Sequence, residues 1–299
     1  LLPYSIRPIQ GHSGGSESMK GTLQKISALA ALSSILSACI GIFYTNGGMT
    51  RMVSNIYNQQ VTLYGDGIYA NDSLLKAGAT KGTDVVTIIA CFILLLIIVL
   101  RINKNAGALV QSGLLLILLY ANTCLVMGVS YNRLFLLYVL QFGSSLFAFA
   151  LSLREIDVYK EQAYERSWKG TGIFIIVGGC STLLWLLFIL PTIITGQALE
   201  TIEIYTTEPA FAIDLAIVFP SLLFCGIMLL KKRRIGVLIT PVLLIFLTGV
   251  GACVVAQTIF QRSMGIMLPC LQWIVLVGTF VILGIVAMVL ATRLLKLVK

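Results

Sequence analysis

Histidine is all but missing from this chain of 299 residues: the single one is His12. That scarcity argues against a Ser-His-Asp hydrolase, an HExxH metalloprotease and a His-ligated haem protein. No GxxxxGK[ST] and no GxGxxG occurs, so no nucleotide site is indicated. The seven cysteines, Cys39, Cys91, Cys124, Cys180, Cys225, Cys253 and Cys270, form no CxxC pair, and all lie in apolar runs. They suit neither a zinc site nor a disulfide framework and read as small packing residues, so no cofactor or metal is expected. Charge is scarce too, at 11% of residues against roughly 25% in soluble domains.

What fills the chain instead is apolar: 58% hydrophobic, with a mean hydropathy of +0.96. Eight apolar segments, roughly 26–43, 84–100, 108–129, 134–153, 172–195, 211–230, 235–258 and 266–290, approach the ~20 residues that a transmembrane helix needs. The fold class expected is all-α, a polytopic membrane helix bundle of about eight spans. A net charge of +9 could suggest nucleic acid, but the placement of the basic residues explains it otherwise. With the N-terminus inside, fifteen Lys and Arg fall in inner segments, including Lys231-Lys232-Arg233-Arg234, and five in outer ones: Arg51, Lys76, Lys81, Arg133 and Arg262. This positive-inside bias predicts both termini in the cytoplasm, in the plasma membrane of a prokaryote, and no nucleic-acid partner.

Residues 1–18 lack apolar periodicity and precede Met19-Lys20, so they read as a non-native or disordered leader. Leu36-Ser37-Ala38-Cys39 has the order of a lipobox, yet the apolar run continues to Phe43, as in an uncleaved first span. The expected organisation is a first four-helix unit over 19–153 with a long outer loop at 44–83, a cytoplasmic linker at 154–171, and a second four-helix unit over 172–299.

An internal correspondence supports two units. Asp84 and Asp214 each begin an apolar run, and in each run 17 positions separate the aspartate from the first inner basic residue, Arg101 or Lys231. Two same-sense groups of four spans make a 4+4 parallel repeat, an arrangement known among transporters. Carboxylates at a membrane edge usually face a bundle interior or cavity, although a solvated helix N-terminus would also suit them. The second unit carries Pro191, Pro220, Pro241 and Pro269, one per span. Proline removes a backbone donor, so kinks and freed carbonyls are expected there. Asn122, Gln141, Gln257 and Gln272 are expected to hydrogen-bond between helices, and Gly143, Gly178-Gly179, Gly249 and Gly251 to let helices approach closely.

The outer loop holds Tyr64-Gly65-Asp66-Gly67-Ile68-Tyr69 and then Asp72. Its glycines and asparagines supply turn chemistry, and its tyrosines suit a membrane interface. An ordered cap on the outer surface is expected. Together with the run TDVVTIIACFILLLIIVL and the later AIDLAIVFPSLLFCGIMLLKKRR, this loop resembles a family of uncharacterised prokaryotic multi-pass membrane proteins. In that family a YGxGxY…D loop precedes an Asp-led span and a second Asp…Pro span ends in a basic cluster. The resemblance covers roughly residues 40–258 and maps onto Tyr64, Gly65, Gly67, Tyr69, Asp72, Asp84, Asp214, Pro220 and Pro241. Ile235-Gly236 stands where the family often has a Pro-Trp-Gly turn. The resemblance implies architecture and no activity.

The function expected is a transporter or permease for a small solute or cation, with Asp84, Asp214, Tyr64, Asp66, Tyr69, Asp72 and Pro220 as candidate binding residues. Glu200, Glu203 and Glu208 would make the outer vestibule attractive to cations. The alternative is a sensor or accessory subunit acting through the loop. An enzyme would have only the aspartates to work with, and these read as too near the outer rim for water-excluded acid-base chemistry. Expected partners are the lipid bilayer, the solute or cation, and a second copy of the chain or a partner membrane protein.

Overall fold

The computed structural model describes residues 13–102, 104–156, 167–267 and 273–297. Its helices follow the apolar runs: α1 Ser13–Phe43, α2 Leu74–Leu100, α3 Lys104–Gly128, α4 Phe135–Ser152, α5 Lys169–Thr195, α6 Pro209–Leu230, α7 Arg234–Ser263 and α8 Thr279–Leu295. Among the described residues, α1 to α7 supply seven helices long and apolar enough to cross a membrane. The chain is thus an all-α bundle of membrane-spanning character. The eighth expected span is described only from Trp273, where a π-helical turn, Trp273–Gly278, runs directly into the shorter α8. Residues 1–12 with His12, most of the 154–171 linker, Pro269, Cys270 and Gln272 lie outside the described residues. α1 begins within the segment 1–18 read as a leader and continues through Cys39 to Phe43.

Burial runs opposite to that of a soluble protein. Leu32, Leu36, Phe92, Leu136, Phe147 and Leu187 are exposed, whereas Ser34, Ser37, Asn122, Gln141 and Ser145 are buried. Hydrocarbon solvates the outer face, and the polar groups must satisfy one another inside. Many do so between helices: Asn122 Nδ2 donates to Ser34 Oγ at 3.1 Å, Ser37 Oγ donates to Gln141 Oε1 at 2.7 Å, and Gln257 Nε2 donates to Thr83 Oγ1 at 2.8 Å.

Helix α7 lies centrally, packed against α2, α3, α6 and α8; α1 packs on α2 and α4, α3 on α4, and α5 on α6. Two close approaches need glycine. A Cβ on Gly82 of α2 would drive into the backbone of Ala256 and Gln257 in α7, and one on Gly251 of α7 would press on the backbone of Gly284 in α8.

The connections 44–73, 129–134 and 196–208 meet at one end of the bundle, away from Arg101, Arg154, Lys169 and Lys231 to Arg234. The first connection is ordered. β1 Arg51–Ser54 pairs antiparallel with β2 Gln60–Leu63, and the segment ends at Ser73, whose side chain accepts the Lys76 N–H as the N-cap of α2. The loop therefore occupies 44–73 instead of 44–83, and Asp84 does not open its helix. LLKAGATKGT, with its small and polar residues, reads as loop in isolation. It is helical because Ser73 caps it and because Gly78 and Gly82 let it lie against α7.

Candidate functional site

The loop is organised by one carboxylate. Asp66 accepts hydrogen bonds from Thr45 Oγ1 at 2.7 and 2.8 Å and from the backbone N–H groups of Asn46, Gly47 and Gly67 at 2.8, 3.0 and 2.8 Å. It ties the turn at 45–48 to that at 64–69. The Thr45 hydroxyl first, with the backbone donors, holds the Asp66 carboxyl down at about 2. Tyr64 lies beneath the ammonium of Lys81, 4.9 Å from its ring centroid. Tyr69 is fully buried, and its hydroxyl donates to Asp84 Oδ2 at 2.8 Å. There is room for this pair only because residue 41 of α1 lacks a side chain: a Cβ on Gly41 would strike both the Asp84 carboxylate and the Tyr69 ring.

Asp214 is placed by two irregular turns that meet. In α5 a 3-10 turn, Thr182–Trp185, ends at Trp185; in α6 a π-helical turn, Asp214–Val218, starts at Asp214, with the Phe219 N–H bonded to the Asp214 carbonyl. Widened turns of this kind recur at functional sites. Pro220 lies two residues beyond the π turn and has no N–H to continue the α pattern. Its effect on the site runs through the backbone, since its ring is exposed and is not in the cavity wall described next. Across the two turns Trp185 Nε1 donates to Asp214 Oδ2 at 2.8 Å, and Tyr120 of α3 donates its hydroxyl to Oδ1 at 3.0 Å.

Both aspartates line one cavity of about 440 Å³ between α2, α3, α5, α6 and α7. Asp84 is 4% exposed and Asp214 7%. Thr80, Thr83, Thr87, Asn122, Gln257 and Thr258 add polar groups to a wall otherwise made by Ile117, Phe246, Val250, Val254 and aromatic rings. At a rise of 1.5 Å per residue, Asp84 lies ~12 Å along α2 from Lys76, and Asp214 ~9 Å along the chain from Glu208. Lys76 and Glu208 are themselves paired, Nζ to both carboxylate oxygens at 2.9 Å. The two acids thus sit at similar depth beneath one ion pair.

That ion pair belongs to a clasp closing the same end of the cavity. Asp72, 1% exposed, accepts the Ser130 N–H at 2.6 Å and the Tyr205 hydroxyl at 2.9 Å. Ser73 Oγ donates to Glu203, and Asn55 Nδ2 donates to the Glu203 carbonyl at 2.6 Å. The Lys76 ammonium stands 5.3 Å from the Tyr205 ring centroid. Glu203 is held at φ 50°, which non-glycine residues seldom adopt. Burial pushes the Asp72 carboxyl up to about 6 and raises that of Glu203 as well.

Of the seven residues singled out in the sequence, Asp84 and Asp214 share the cavity and Tyr69 positions Asp84. Asp72 builds the clasp, and Tyr64 and Asp66 shape the loop. Sequence reasoning missed Tyr120 and Trp185. A signal existed, because a phenol or indole away from the membrane interface must find a partner for its polar atom. It also missed the clasp, whose members lie in connections without periodicity. Cys124 and Cys253 line the cavity as free thiols. No protein-family model matches the sequence, and neither a curated protein nor a solved structure matches it.

Proposed function

We propose that the protein is a membrane permease for a small solute or cation, with Asp84 and Asp214 as its binding groups at the interface of two parallel four-helix units. The observation that carries this reading is the convergence of the two carboxylates, from separate halves of the chain, on one cavity inside a lipid-facing bundle. Intramembrane carboxylates are costly unless they serve a pathway or a pair, and neither makes an ion pair among the described residues. Basic residues gather at the end opposite the clasp, which supports cytoplasmic termini in a prokaryotic plasma membrane and a cavity mouth on the outer side.

The reading is tested by solute flux into liposomes holding the purified chain. Asp84→Asn and Asp214→Asn should each abolish flux while the protein stays folded. Flux unchanged in both variants would sink the reading. A sensor or accessory subunit is the second reading, favoured by the β1–β2 hairpin, on which Met52 and Ile56 are exposed. It predicts no flux for wild type, together with loss of the cellular phenotype when the hairpin is trimmed.

A further inference from the structure

The chemistry of the cavity wall narrows the ligand beyond a solute or cation. The wall carries one base, Lys76, and four acids, Asp84, Glu203, Glu208 and Asp214. Lys76 is committed to Glu208, so Asp84, Glu203 and Asp214 have no base on the wall to pair with and a cation is the natural guest. A bare divalent ion is poorly served. Such ions take six or more oxygen ligands, and among the described residues no group of three or more His, Cys, Asp or Glu could hold a metal.

The surroundings of Asp214 suit a different cation. Trp185, whose indole donates to Asp214, lies with its ring centroid 4.5 Å from Phe211 and 6.1 Å from Phe280 in stacked geometry. On the other side, Tyr120 packs edge-on against Phe246 at 5.5 Å. All five rings line the cavity. A carboxylate accepts about four hydrogen bonds, and Asp214 receives two, leaving capacity for a third donor. A carboxylate framed by aromatic rings in an apolar chamber is the arrangement that holds an ammonium group and its hydrocarbon body, by charge and by cation–π attraction together.

We infer that the cavity binds a small organic ammonium ion, a protonated or quaternary amine with an apolar body, whose charged nitrogen lies at Asp214 within the ring of aromatic side chains. This inference rests on the reading of the cavity as a solute chamber and specifies its guest.

The test uses the full-length chain in nanodiscs and a matched pair of probes, phenethylammonium and the neutral phenethyl alcohol, with tetraethylammonium, K⁺ and Ca²⁺ alongside. Binding is read from thermal stability and from tryptophan fluorescence in a Trp168→Phe, Trp273→Phe background that leaves Trp185 as reporter. The two ammonium ions should raise the melting temperature and perturb Trp185 fluorescence, with the alcohol and the metal ions inactive. Asp214→Asn should weaken phenethylammonium binding about ten- to a hundredfold, the usual worth of a hydrogen bond to a charged group. The comparison of amine with alcohol needs no substitution at Asp214, so the test survives a variant that fails to fold. Equal binding of amine and alcohol would overturn the inference and leave the solute chamber standing. Response to K⁺ or Ca²⁺ alone, or to no probe, would overturn it also. Ammonium binding without flux in liposomes would uphold the inference while removing the transport reading beneath it.

Discussion

The hydroxyl of Tyr205, in the connection between α5 and α6, donates to Asp72 at 2.9 Å across a sequence separation of 133 residues. Beside it run Ser73 to Glu203 and Lys76 to Glu208. The clasp thus fastens one loop of the first half to one loop of the second at the cavity, whose wall includes Lys76, Glu203, Tyr205 and Glu208.

Protons should act on it. Burial raises the Asp72 carboxyl from the ordinary 3.8 to about 6, and Glu203 moves the same way. Around Asp72 stand Lys76, Tyr69, Tyr138, Tyr205 and Glu203. A carboxyl raised in the closed state binds more protons closed than open. Its contribution to closure is full below about 3.8 and is lost as the pH rises to about 6, by roughly 3 kcal/mol for Asp72 at 1.36 kcal/mol per pH unit. Asp66 has the opposite sign, but its contribution is lost only as the pH falls towards about 2, outside that window. Labelling of a cysteine placed at Thr80, a cavity-wall residue beneath the clasp, in an otherwise cysteine-free chain and normalised to the unfolded protein at each pH, should therefore quicken between pH 4 and 6. Asp72→Asn should flatten the profile. A rate independent of pH in the parent would count against the clasp as a proton-sensitive closure.

The Lys76–Glu208 pair is only 18% and 19% exposed at its side chains, so it should couple more strongly than a surface pair. A double-mutant cycle with Lys76→Met and Glu208→Gln should give a coupling energy of about 1–3 kcal/mol in thermal stability. A coupling within error of zero would show the pair to be incidental.

Tyr69→Phe removes the hydroxyl that donates to Asp84 and leaves the buried acid short of a partner. Unfolding in detergent should show a loss of about 1–3 kcal/mol, the cost of leaving a buried polar group without its partner. Adding Asp84→Asn to Tyr69→Phe should cost much less than the sum of the two single changes.

Three glycines should rank by what a methyl group would meet. Gly82→Ala and Gly251→Ala push into neighbouring backbone and should each destabilise by about 1–3 kcal/mol. At Gly143 a Cβ meets nothing within 4 Å, so alanine there should be neutral or should stabilise α4 by about 0.5–1 kcal/mol. Melting temperatures of the three variants decide the order.

The sequence made the bundle and its two acids legible for a simple reason: an aspartate in an apolar run is costly enough to need a purpose, and hydropathy marks the runs. It marked Gly251 as a point of close approach, where the structure places Gly284. It also suggested Gly143, which faces open space. The start of α2 was hidden because Ala77, Gly78, Gly82 and their polar neighbours have loop-like composition, and only the surface of α7 makes them helical. Pro220 was recognised as special, but its influence passes through the π turn that places Asp214, with no contact of its own to the cavity. The clasp was invisible since most of its bonds join residues 130 or more positions apart.

The central position of α7 divides the molecule differently from its chain. α7 lies in the C-terminal half of the sequence, yet it is seated against α2 and α3, and the glycine at position 82 allows the close approach. The α5–α6 hairpin is seated along the seam between α6 and α7, and the loops above tie it to the start of α2. Asp214 and Trp185 belong to that hairpin, whereas Asp84 and Tyr120 belong to α2 and α3. The hydrogen bond from Tyr120 to Asp214 is therefore a stitch across the boundary between the two packing groups, and the cavity is lined by side chains from both.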